Sequence, residues 1–121
     1  KFDRGDKDMA DHIKIRTAPG TWVVRAGGAV LGETSDALEL TEGDYPAVIY
    51  FPRAALAMAF LDASDTKSTC PYKGVASHYS IQTKSVLIED AAWSYEDPKA
   101  GMEKIKGYLA FYPQKAAVEM L

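Results

Sequence analysis

The sequence predicts an all-β fold, mainly an antiparallel barrel or sandwich, with two short helices. Three observations predict it: short runs rich in β-branched and aromatic residues, period-two alternation within several of them, and Gly, Pro or Asp punctuation between them. Strands joined by turns this short must pair antiparallel, and many short strands close naturally as a barrel or two packed sheets.

The elements follow in order. His12 to Arg16 alternates and places Ile13 and Ile15 on one face. Pro19-Gly20 marks a turn. Trp22 to Arg25 and Ala29 to Thr34 are strand-like, and Gly27-Gly28 between them suits a tight hairpin turn with positive φ at both centres. Ala37 to Leu40 continues the meander, and Ala47 to Phe51 is an apolar run of the kind found in buried strands.

Pro52 fits the first position of a helix, where its missing N–H costs nothing. Leu56, Phe60 and Leu61 follow at helical spacing among alanines, so a helix is expected from Pro52 to Leu61. Asp62 to Thr69 reads as a polar loop. Val75 to Thr83 alternates, with Val75, Tyr79 and Ile81 on one face and His78, Ser80 and Gln82 on the other. Val86 to Tyr95 is its partner strand, bent near Asp90-Ala91. Asp97-Pro98 starts a second helix that Gly107 ends. Tyr108 to Tyr112 and Ala116 to Leu121 complete seven or eight strands.

At 121 residues the chain is expected to form one mostly-β domain over residues 9–121. Residues 1–8 alternate in charge, without the apolar segment of a signal peptide, and read as an appended or disordered tail. Hydrophobic residues make up 47% and charged ones 26%, a globular rather than a disordered balance. No apolar run reaches the roughly 18 residues of a membrane helix, so no membrane partner is expected. Net charge is −3 and the basic residues are scattered, which argues against nucleic acid as a partner. A single cysteine rules out an internal disulfide, and a reducing, cytoplasmic setting is the expectation.

The functional patch is expected around Cys70-Pro71-Tyr72-Lys73-Gly74. Pro71 holds Cys70 extended. Lys73 lies three residues on, where a cation favours the reactive thiolate, and His78 is a candidate general base toward Cys70 or a bound hydroxyl. Arg53 is a candidate anchor for an anion, and Tyr79, Trp93 and Tyr95 form an aromatic group that could stack a ligand. Each has a plainer reading: Cys70 as a small buried hydrophobe, Lys73 and Arg53 as solvated charges, His78 as a hydrogen-bonded surface imidazole, Trp93 as core. Tyr95 falls at the wet end of its strand. No cofactor and no metal site are expected: one cysteine and two separated histidines make a poor ligand set.

Several strings in this chain resemble the domain-of-unknown-function family 427. They are Tyr50-Phe51-Pro52-Arg53, Thr69-Cys70-Pro71-Tyr72-Lys73-Gly74, Ala92-Trp93-Ser94-Tyr95-Glu96-Asp97-Pro98 and Ala110-Phe111-Tyr112, with Gly28 to Ser35 and Leu38 to Glu42 fitting as well. The resemblance implies a small bacterial or fungal β protein, with a compact fold like that of the zinc-bearing β-tent proteins but without their metal-binding cysteine pairs. It also carries a nucleotidyltransferase-like label. Nothing in the residues supports that label, since there is no glycine-rich phosphate loop and Glu89-Asp90 would face opposite ways on a regular strand.

Two functions from different classes follow. One is a small-molecule binding domain for an acidic or phosphorylated metabolite, its pocket lined by Arg53, Cys70, Lys73, Tyr79 and Trp93, with Cys70 the nucleophile if it is catalytic. The other is a non-catalytic protein-interaction or self-associating β module, monomeric or homodimeric. A thiol redox switch is weaker, for want of a resolving cysteine. Convergence of Arg53 and Cys70 on one cavity would favour the first, and an open sheet edge or apolar patch the second.

Overall fold

Ten strands form in the computed structural model, which describes residues 12–121; the expected tail over residues 1–8 lies outside the described residues. They are β1 (Ile13–Thr17), β2 (Trp22–Ala26), β3 (Ala29–Thr34), β4 (Leu38–Glu42), β5 (Val48–Tyr50), β6 (Leu61–Cys70), β7 (Gly74–Gln82), β8 (Leu87–Ser94), β9 (Leu109–Phe111) and β10 (Ala117–Met120). All pairing is antiparallel, in three sheets ordered β1-β4-β5, β10-β2-β3 and β6-β7-β8-β9. The β2–β3 hairpin turns through Gly27 and Gly28 at φ 58° and 78°, conformations a side chain resists.

The expected barrel does not close. Single bridges, not ladders, link the sheets. Phe51 and Leu109 exchange two backbone hydrogen bonds of 2.8 and 3.0 Å, joining the β5 end to β9. Gly32 bridges to Leu56, and the Ala57 N–H donates to the Leu31 carbonyl at 2.7 Å.

That second link is why the helix expected over Pro52–Leu61 is absent. Two short 3₁₀ turns, Arg53–Ala55 and Met58–Phe60, flank a Leu56 held extended at φ −108°, ψ 145°. Extending Leu56 buries its side chain and pairs its backbone with β3, and this tertiary gain outweighs the small helix preference of the alanines. The helix expected after Pro98 shrinks to one 3₁₀ turn, Glu103–Ile105. Gly101, at φ 91°, interrupts the chain there, and Asp97 caps nothing. Residues 62–69, expected as loop, belong to β6. This strand lies at a sheet edge with nearly every side chain exposed, so it carries no apolar alternation to betray it.

The β6–β9 sheet is apolar on both faces. Tyr79 and Ile81 of β7 and Leu109 and Phe111 of β9 join one core cluster with Val24 and Leu31. Ala76 and Ala110, from the alternate positions, join a second with Leu40, Tyr50, Tyr95 and Ile105.

Gly32→Ala tests the junction of β3 with the Leu56 segment. A Cβ there would lie 2.5 Å from the Ala55 carbonyl oxygen and 2.7 Å from Leu56 Cδ2, and backbone cannot yield as a side chain does. The variant is expected to lose about 1–3 kcal/mol in urea denaturation, as overpacking generally costs. An unchanged midpoint would mean that this junction is looser than described.

Candidate functional site

The face of the β6–β9 sheet that carries Ala76 turns toward β4 and β5 and opens into a cleft. Register places His78 opposite Trp93 and Trp93 opposite Ala110, with Tyr112 just beyond β9. The cleft holds about 230 Å³ between the rings of Tyr50, Trp93, Tyr95 and Tyr112. Its polar groups are Glu42, Ser68 and Lys73. A second recess of about 480 Å³ shares Tyr45, Pro46, Val48 and Trp93 with the first and is walled further by Trp22 and Phe111. The two recesses adjoin through these shared walls and form a trough with a polar part beside Lys73 and an apolar part beside Phe111.

Lys73 is the last residue of the turn between β6 and β7 and is almost fully buried. Its ammonium lies 6.0 Å from the centre of the Tyr95 ring and donates to Glu42 Oε1 at 2.8 Å. His12 Nε2 stands 3.5 Å from the other carboxylate oxygen. The Lys73 hydrogen bond, outweighing burial, holds the Glu42 carboxyl below its usual range. Burial pushes the Tyr50 and Tyr95 hydroxyls well above theirs, so both phenols stay protonated. Trp93 donates its indole N–H to the Tyr50 hydroxyl at 3.2 Å.

The expected site residues divide between two places. Trp93 and Tyr95 line the cleft with Lys73. Tyr95, read as the wet end of its strand, is 6% exposed, because the Lys73 side chain and the second core cluster cover it. Cys70 pairs with Gly74 at the base of the hairpin, half-buried, and its sulfur accepts the Lys73 backbone N–H at 3.4 Å. The Lys73 ammonium goes to Glu42, so it is already engaged and does not serve the thiol.

His78, expected on a solvated face, is buried at 4% exposure. Tyr112 covers it, and its Nε2 is 2.9 Å from Ser68 Oγ.

Arg53 and Tyr79 belong elsewhere. Tyr79 alternates onto the opposite face of the sheet from His78, and the Arg53 guanidinium sits 5.5 Å over its ring. Arg53 donates to Glu96 Oε2 at 2.8 Å and to the Tyr79 hydroxyl at 3.3 Å, and Tyr79 in turn donates to Glu96. The Tyr79 bond, then that of Arg53, keeps the Glu96 carboxyl below its usual range. Neither Arg53 nor Cys70 lines the trough, so the two do not converge on it.

Among the cleft residues that escaped the sequence reading are Glu42, Tyr50, Ser68 and Tyr112. For Ser68 a signal existed, since Thr66 and Thr69 are β-formers and the segment matches the length of Val75 to Thr83 across the Pro71-Tyr72 turn. Among the described residues, no three of His, Cys, Asp or Glu are grouped so as to hold a metal ion, and no helix is long and apolar enough to cross a membrane.

Fold and cleft together define a three-sheet antiparallel β protein with an aromatic-walled trough between its sheets. A family profile described as "Domain of unknown function (DUF427)" matches residues 14–121, and the chain belongs to that family. No curated protein matches it.

Proposed function

We propose that this chain is a small-molecule binding domain whose ligand is a compact amphipathic molecule. Its apolar or aromatic body lies along the Trp22–Phe111 recess, and its polar end meets Lys73, Glu42 and Ser68. One observation carries this reading: two adjoining recesses that share Trp93 as a wall, one polar and one apolar, the larger in the size range of small-molecule sites. Because Lys73 is neutralised by Glu42, a purely anionic ligand would have to displace a carboxylate. A neutral or zwitterionic hydrogen-bonding group matches the pair better than the acidic metabolite expected from isolated Lys and Arg residues. Cys70 has no part in it.

The test compares two fluorescent probes, neutral N-phenyl-1-naphthylamine and anionic anilinonaphthalene sulfonate. The neutral probe is expected to bind at least as tightly, and Trp93→Ala to weaken it roughly tenfold, the scale of losing one well-packed aromatic wall. Equal affinity in wild type and Trp93→Ala would refute the reading.

The interaction-module alternative rests on a separate feature. Val86 and Leu87 are 37% and 54% exposed beside the Gly27 turn, and Val30 nearby is 57% exposed. This reading requires concentration-dependent self-association in sedimentation, removed by Leu87→Glu.

A further inference from the structure

The His78 imidazole lies at the back of the cleft's polar end. It faces Trp93 across the β7–β8 ladder and stacks on Tyr112 with ring centres 6.2 Å apart and planes 14° from parallel. Its Nε2 meets Ser68 Oγ at 2.9 Å, while its Nδ1 is buried with no hydrogen-bond partner among the described residues. A buried ring nitrogen left unpaired is costly, and such groups in native proteins call for an explanation.

The backbone beside His78 is irregular on both sides. Across from it, β6 carries extra residues between Ala63 and Lys67, and the β7–β8 register shifts between Tyr79 and Ile81. Asp90, within the second irregularity, has φ 49°, the one positive φ of a non-glycine residue among the described residues. Its carboxylate accepts hydrogen bonds of 2.6 and 2.7 Å from Ser64 and Thr66, both in the β6 bulge. These two bonds, and more weakly the charges of His78 and Lys115, hold the Asp90 carboxyl below its usual range. Bulges re-aim side chains near sites, and strained backbone clusters there. Two register irregularities, one strained aspartate bonded across them and one unpaired ring nitrogen thus cluster beside or opposite His78.

We propose that Ser68 and His78 form a nucleophile–base pair acting on small carboxylic esters or thioesters whose apolar part lies along the trough. The proposal rests on reading the trough as a ligand site. Ser68 is exposed and lines the cleft, so its oxygen can meet a bound carbonyl. As Oγ bonds to the carbonyl carbon, its proton passes to His78 Nε2. The bond to the alcohol or thiol then breaks, and that group leaves with the proton from Nε2. Water attacks the acyl-serine, giving its proton to Nε2, and the departing Ser68 oxygen takes that proton back as the acid is released. Ester and water are consumed, and acid and alcohol are formed.

Asp90 ties the β8 irregularity to the β6 bulge opposite His78 through its bonds to Ser64 and Thr66. The Lys115 ammonium lies 5.8 Å from the centre of the Tyr112 ring that covers His78. Tyr112, whose hydroxyl burial pushes up, stays neutral.

The test uses an alkyl fluorophosphonate, which labels activated serines, read by intact mass and peptide mapping, with p-nitrophenyl butyrate as the ester. One adduct on Ser68 is expected, absent in Ser68→Ala and slowed about 100-fold or more in His78→Gln, the general-base range. Circular dichroism keeps unfolded variants out of the comparison, and Ser68→Ala, at an exposed position, serves where the buried His78→Gln does not fold. A folded wild type without adduct, or one labelled equally in Ser68→Ala, overturns the pair. If the naphthylamine still binds under those conditions, the trough survives as a binding site without this chemistry; if neither probe engages, both readings fall.

Discussion

Phe51→Ala is expected to lower the free energy of unfolding by about 3–5 kcal/mol, the range for deleting a fully buried phenyl ring. Phe51 is 0% exposed and meets the Phe111 ring edge-on at 6.0 Å. Its backbone is one half of the only bridge between β5 and β9 among the described residues, and that bridge holds β4 and β5 across the cleft from Trp93. A cavity there should therefore act twice, reducing the urea midpoint and weakening naphthylamine binding. Urea titration followed by tryptophan fluorescence measures the first effect. A loss under about 1.5 kcal/mol would mean that the surroundings collapse into the space and that this junction is not a rigid frame.

Lys73→Met is expected to cost about 2–3 kcal/mol at neutral pH. Removing one partner of a fully buried ion pair costs about 3–5 kcal/mol. Side-chain exposures of 10% for Lys73 and 24% for Glu42 place this pair below that range. Methionine preserves the apolar stem over Tyr95, so the loss reports the charge. The pH dependence has a definite sign. Glu42 has its carboxyl lowered in the folded state, chiefly by Lys73, so its contribution is fully present above the unfolded value near 4.5 and disappears as pH falls through the folded value. Wild type and Lys73→Met should differ most at pH 7 and converge as pH falls below 4.5 through the lowered folded value. A constant difference across that window would show that Glu42 and Lys73 are not coupled.

What the sequence revealed followed from how local each determinant is. The Gly27-Gly28 turn and the bend at Asp90 are set within a few residues and appear where expected; β7 keeps Tyr79 and Ile81 on the face away from His78, but His78 and Ser80 are buried and Val75 is exposed. The Pro52–Leu61 helix failed because the deciding contact for Leu56 is Gly32, 24 residues earlier. Edge strand β6 was missed because exposed faces leave no hydrophobic period.

The same division runs through the site. Trp93 and Tyr95 alternate on or beside β8 in strongly aromatic strings and were legible. Lys73 was legible as a residue but not in its role: three positions from Cys70 looked close, yet the turn sends its side chain to Glu42, 31 residues away. Alternation separates Tyr79 from His78, but their assignment to different faces says nothing of which face opens into a cleft. That depends on where β4 and β5 dock, which is decided by the Phe51–Leu109 bridge.

The most direct test of the central claim, that the trough is a ligand site, is amide and indole chemical-shift mapping during titration with N-phenyl-1-naphthylamine. The expected result is saturable movement of the Trp93 indole N–H, which bonds Tyr50 at 3.2 Å, together with the Val48 and Tyr112 amides, while Val75 and Lys84 stay still. Shifts confined to Val30, Val86 and Leu87, or scattered without saturation, would contradict it.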